Sequence, residues 1–224
     1  MDENEVDNIV VIYVDENDGA RQDFYADAFF SEKFSEVVVL APRPALSEML
    51  EDLMAYNFDA LVSDFRLADA SPVEYDGNEL VQAFSTTRKG FPCFIRTSFD
   101  DDALHVVDDV NLVYSKENGG TDSGRAGLFD RVVLQVQRQR ERLEKSVNEL
   151  ERLMERAPDE LTSHEVDRVV ELDSYIEGYM GADHQAANSY KRSLFVNHIS
   201  DRQSNIIADT ERLIVEIRRV LNGG

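Results

Sequence analysis

The sequence has 224 residues, 42% of them apolar, and 45 acidic against 23 basic side chains, for a formal charge of −22. That apolar content suits one large domain or two small ones. Residues 1–124 hold 27 acids and 8 bases, and residues 125–224 hold 18 and 15. The first half therefore repels phosphate backbones and anionic membrane surfaces, so nucleic-acid binding is disfavoured.

A single cysteine, Cys93 in the apolar run FPCFI, forms no internal disulfide and reads as a buried spectator thiol. No apolar stretch approaches the length of a membrane span, and MDENEVDN is not a secretory signal, so the expected compartment is the cytoplasm.

In chain order, IVVIYV (residues 9–14) is β-branched and apolar on both faces, as a central parallel strand requires. Phe24, Ala28 and Phe29 then recur at helical spacing and predict a helix from about Ala20 to Phe34. SEVVVLAP is a second strand. ALSEMLEDLMAYN is a second helix, with Leu46, Leu50 and Met54 on one face. FDALVSDF is a third strand, followed by a long loop, RLADASPVEYDG, and the helix GNELVQAFSTTR. FPCFIRTSF is a fourth strand, DDDALHVVDD a short helix, VNLVYSKE a fifth strand, and NGGTDSG a break. This alternation predicts an α/β fold, a doubly wound five-stranded parallel sheet over residues 1–125.

Function in such a sheet sits beyond the carboxyl ends of the strands. Asp15 and Glu16 follow the first strand, Asp64 ends the third, Thr97 and Ser98 the fourth, and Lys116 the fifth. Clustered carboxylates repel one another unless a countercharge joins them. Magnesium, a hard cation that takes oxygen ligands, supplies one, with Asp15, Glu16, Asp64 and the backbone carbonyl near Arg66 as the expected donors. Asp64 is also a candidate nucleophile towards a phosphoryl group. Thr97 can donate to a phosphoryl oxygen, and Lys116 can pair with another. The competing reading is that Asp15 and Asp64 merely cap helices at strand-to-helix turns.

Four motifs together resemble the receiver domain of two-component response regulators: VIYVDEND with Arg21 shortly after, FDALVSDFRL followed by Asp76 and Gly77, FPCFIRTS, and LVYSKE. The resemblance covers about residues 8–120. It implies a flavodoxin-like fold, Asp15 and Glu16 holding magnesium, and Asp64 accepting phosphate from a histidine kinase or phosphotransfer protein. It also implies Thr97 as the hydroxyl switch and Lys116 as the phosphate-contacting cation. The sequence departs from the family pattern at Glu16, where Asp is usual, in the longer loop after Asp64, and at Glu117, where Pro usually follows the lysine.

From about Ala126 the pattern is helical. Phe129, Val132, Val133 and Val136 read as the last helix of the sheet domain, and the same run continues onward. Leu143, Val147, Leu150, Met154 and Ala157 form a heptad stripe of about two repeats, with Arg140 interrupting it upstream. Such a stripe docks on a second subunit or on the helices that follow. APDE breaks the helix, and Thr162 with Glu165 forms a capping-box signature. Val166, Val169, Val170, Asp173 and Ile176 mark the next helix, and residues from Leu194 to Leu221 another apolar stripe. Residues 126–224 are thus expected to be a helical region that dimerises, partly as a coiled coil, or binds a protein effector.

The four histidines, His105, His164, His184 and His198, lack metal-ligand spacing with Cys or acids. The expected function is phosphorylation-responsive signalling through protein contacts, with enzymatic activity confined to formation and loss of an aspartyl phosphate. The alternatives are a phosphorylation-independent pseudo-receiver scaffold, a magnesium-dependent phosphatase and an unusual transcription factor.

Overall fold

The computed structural model describes residues 8–69, 72–97, 113–115, 127–157, 160–181 and 200–221, with the backbone alone at 113–115 and 200–209. The chain divides into two compact units, one of residues 1–86 and 91–137, the other of 87–90 and 138–224. The division falls within one long helix, whereas the sequence suggested a boundary at 125/126.

The first unit is α/β. Strands β1 (Val10–Val14), β2 (Glu36–Leu40), β3 (Ala60–Asp64) and β4 (Cys93–Thr97) are all parallel, in the order β2-β1-β3-β4. A three-residue segment, β5 (Val113–Ser115), pairs parallel along the far edge of β4. Helix α1 (Asp18–Phe30) connects β1 to β2, α2 (Leu46–Ala55) connects β2 to β3, and α3 (Gly77–Thr87) connects β3 to β4.

β1 lies between β2 and β3, so both its faces must be covered. Val11, Ile12, Tyr13 and Val14 are accordingly all fully buried. Side chains alternate along each strand. Val11 and Tyr13 of β1, Ala60 and Val62 of β3, and Phe94 of β4 share one face. Phe24 and Ala28 of α1 pack there, as do Val132 and Val136 of α4 (Leu128–Met154). The Phe24 ring stacks on Tyr13 at 4.1 Å, and Phe129 meets Phe24 edge-on at 5.5 Å. Ile12, Leu61 and Ile95 alternate to the other face and are also fully buried. Phe58, Phe84 and Phe91, with centroids 5.0–5.7 Å apart, join α3 to the segments leading into β3 and β4.

Two boundaries differ from expectation for local reasons. Helix α1 begins at Asp18 because the Asn17 side chain accepts from the Ala20 amide at 3.1 Å. It ends by Phe30, well short of Phe34, because Glu32 turns into the left-handed region at φ 55°.

The second unit is helical and comprises the later part of α4, α5 (Ser163–Met180) and α6 (Ser200–Leu221). The capping box at α5 is present: the Thr162 hydroxyl accepts from the Glu165 amide at 3.3 Å, and the Glu165 carboxylate accepts from the Thr162 amide at 2.8 Å. Leu143, Val147 and Leu150 of α4 are at most 1% exposed. Val166, Val169, Val170 and Ile176 of α5 are buried, as are Ile214 and Ile217 of α6. These three stripe positions of α4 therefore find their cover within the chain, whereas Met154 is half-buried and Ala157 exposed. Upstream of Leu143 the buried position is Gln139, not Arg140; its amide donates to the Tyr175 hydroxyl at 2.9 Å. Asp173 is also buried and accepts from the Thr210 hydroxyl at 3.4 Å. Among the described residues no helix is long and apolar enough to cross a membrane.

Candidate functional site

β1 and β3 are neighbours in register, with Tyr13 opposite Val62 and Val14 opposite Ser63. Their next residues, Asp15 and Asp64, consequently emerge side by side at the carboxyl rim of the sheet. Asp15 is fully buried and Asp64 is 5% exposed, with Glu16 half-buried beside them. One carboxylate oxygen from each of the three lies within 4.8 Å of the others. These three of the candidate residues thus lie together at one rim of the sheet.

Each acid is held by its own loop. Asp15 Oδ1 accepts from the Asn17 amide at 2.8 Å, and Oδ2 accepts from the buried Tyr13 hydroxyl. The Arg21 guanidinium donates to the Asp15 carbonyl at 2.6 Å and pairs with Asp18 at 3.1 Å. Asp64 Oδ2 accepts from the Arg66 amide at 2.8 Å, and the Ser63 hydroxyl donates to the Asp64 carbonyl at 2.9 Å. The competing reading of Asp15 as a helix cap does not hold: Asn17 caps α1, and Asp15 makes an i to i+2 turn bond, as Asp64 also does. Gly77 closes the site from behind. Its amide donates to the Phe65 carbonyl at 2.9 Å, and a Cβ there would lie 1.7 Å from the Asp64 carbonyl oxygen.

The electrostatics follow from the crowding. Burial, reinforced by the Asp15 and Asp64 charges, pushes the Glu16 carboxyl up to about 7, and a backbone hydrogen bond only partly offsets this. Glu16 Oε2 is buried without a hydrogen-bond partner. Burial and the neighbouring Asp15 anion together raise the Tyr13 hydroxyl far above the ordinary phenol range, so it stays protonated and donates. An orphaned carboxylate oxygen facing two further carboxylates fits a hard divalent cation such as magnesium, which takes oxygen ligands and keeps several waters.

The other predicted residues divide. Thr97 is buried at the end of β4, one residue beyond Arg96, the register partner of Asp64. Arg66 donates its amide to Asp64. Lys116 lies outside the described residues; it follows Ser115, which pairs with Thr97. His105, His184 and His198 also lie outside them, and His164 is exposed at the start of α5.

Three supporting residues had no role assigned from the sequence. Tyr13 sits two positions before Asp15, and period-two alternation alone puts it on the same face. Arg96 lies over the Tyr13 and Phe24 rings at 5.9 and 5.4 Å and pairs with Asp27 at 3.7 Å. Gly77 shows its function only through the close approach of β3. No family model and no curated protein matches the chain.

Proposed function

We propose that this chain is a receiver-like signalling protein that accepts a phosphoryl group on Asp64 and signals through protein contacts of its helical unit. The observation that carries the reading is the convergence of Asp15, Glu16 and Asp64 at the carboxyl rim of a parallel sheet, with a buried Glu16 oxygen left without a partner. In this reading the sheet is the five-stranded, doubly wound, flavodoxin-like kind, and the protein works in the cytoplasm with a histidine kinase or phosphotransfer protein as donor.

Asp15, Glu16 and Asp64, with the Arg66 carbonyl, would hold magnesium, which would neutralise charge on the phosphoryl oxygens. Tyr13 and the Asn17 amide hold the Asp15 carboxylate in a fixed orientation. The Arg66 amide fixes one Asp64 oxygen, and the carboxylate so oriented is the group that attacks phosphorus. An O–P bond forms as the bond from phosphorus to the donor breaks, and the leaving group takes up a proton. Thr97 and Lys116 are the groups we assign to the transferred phosphoryl, so phosphorylation would reorder their surroundings and bias the adjoining surface.

Incubation with acetyl phosphate and magnesium, followed by intact-mass measurement, tests this directly. One phosphoryl group is expected on the wild-type chain and none on Asp64→Ala. Absence of the added mass on the wild type, with no measurable magnesium binding, would instead favour a phosphorylation-independent scaffold.

A further inference from the structure

We propose that the helical unit carries a binding site for a small phosphate-bearing anion, distinct from the acidic site. It is a groove of about 300 Å³ lined by Arg138, Glu141, Arg142, Lys145, Glu149 and Arg168. Arg138, Arg142 and Lys145 occupy successive turns of one face of α4, at spacings of four and three residues. Like charges so placed repel one another. The groove's two carboxylates each pair with a base that also lines it, which leaves two of its four bases over. Glu149 holds Arg168 through two bonds of 2.8 Å, and Glu141 pairs with Lys145 at 3.6 Å. Arg168 is further fixed by Glu171 at 3.2 Å. Among the described residues Arg138 and Arg142 have no carboxylate partner, although the chain holds 45 acids for 23 bases.

Two unpaired guanidiniums, a lysine and the Ser146 hydroxyl thus face one cavity of small-molecule size. A guanidinium fork matches phosphate oxygens bidentately. At 1.5 Å rise per residue the two forks arise about 6 Å apart along the helix. An anion with oxygens on more than one centre, a diphosphate or a phosphate ester of comparable charge, can therefore engage both. An extended nucleic acid is disfavoured by the −22 of the whole chain.

The test is calorimetric titration of the full chain with inorganic pyrophosphate, in magnesium-free buffer so that the acidic site takes no part. Saturable one-to-one binding is expected. Arg138→Ala with Arg142→Ala should weaken it at least tenfold with unchanged helical circular dichroism, since both side chains are exposed. Arg152→Ala, exposed on the same helix but outside the groove, should leave it unchanged. The proposal is overturned if the wild type shows no saturation in the millimolar range, or if Arg152→Ala weakens binding as much as the double variant. Tighter binding of a tetraglutamate peptide than of pyrophosphate would also overturn it, marking the groove as a peptide site.

Discussion

Substituting Gly77 by Ala should damage the acidic site without touching any charged group. The backbone at Gly77 is not in the left-handed region, so the case rests on space alone. The added methyl would lie 1.7 Å from the Asp64 carbonyl oxygen, 2.8 Å from its carbon and 2.8 Å from Ser63 Oγ. Two of those three atoms are backbone, so no rotamer change relieves the contact. Either the end of β3 or the start of α3 must move. Overpacking of this kind costs about 1–3 kcal/mol. Movement large enough to clear the methyl also stretches the Gly77 amide bond to Phe65, adding roughly 0.5–1.5 kcal/mol. A total of about 1.5–4.5 kcal/mol is a large share of the roughly 5–15 kcal/mol that stabilises an ordinary domain. Urea denaturation followed by circular dichroism measures it. The same displacement shifts Asp64, so phosphorylation by acetyl phosphate should fall even where the variant remains folded. A loss below about 0.5 kcal/mol, with phosphorylation retained, would refute the reasoning.

Tyr13→Phe removes only the hydroxyl that donates to Asp15, leaving a buried carboxylate short of a partner; a loss of about 1.5–3 kcal/mol is expected in the same denaturation assay. Glu165 is held at about 2, below its ordinary 4.5, first by the Thr162 amide and then by Arg156, so its contribution is complete above the ordinary value and lost as pH falls towards about 2. The melting temperature of the wild type should therefore drop more steeply than that of Glu165→Gln across that interval. Leu150→Ala, at a fully buried site, should cost about 2–5 kcal/mol, with a denaturation midpoint that does not move with protein concentration.

The strands were legible because a strand buried on both faces leaves a run such as IVVIYV that no amphipathic helix would carry. Their parallel order then puts Asp15 beside Asp64 by topology alone. Helix ends were less legible, because the competition between Asn17, Asp15 and Asp18 for the same turn is decided by geometry within a single residue step. The burial of Gln139 is not legible in the sequence, because a buried glutamine is identifiable only once its partner, Tyr175, comes from another helix. The capping box at Thr162 and Glu165 lies within four consecutive residues and was read correctly. Gly77 and Tyr13 fall between these cases: each is plain in the sequence, but its role depends on which backbone or carboxylate lies opposite.

The heptad stripe on α4 illustrates why spacing alone does not choose a partner. Leu143, Val147 and Leu150 satisfy a coiled-coil seam equally well against a second copy or against helices of the same chain. Here their cover is intramolecular. Charged pairs flank it: Arg168 to Glu149 joins α5 to α4, and Arg218 to Glu151 joins α6 to α4. Thr210 and Asp173 tie α5 to α6. A dimer built on this seam would first have to expose those three side chains, at about 1.5–3 kcal/mol each, and break the polar links beside them. Those costs weigh against a dimer seam at Leu143, Val147 and Leu150.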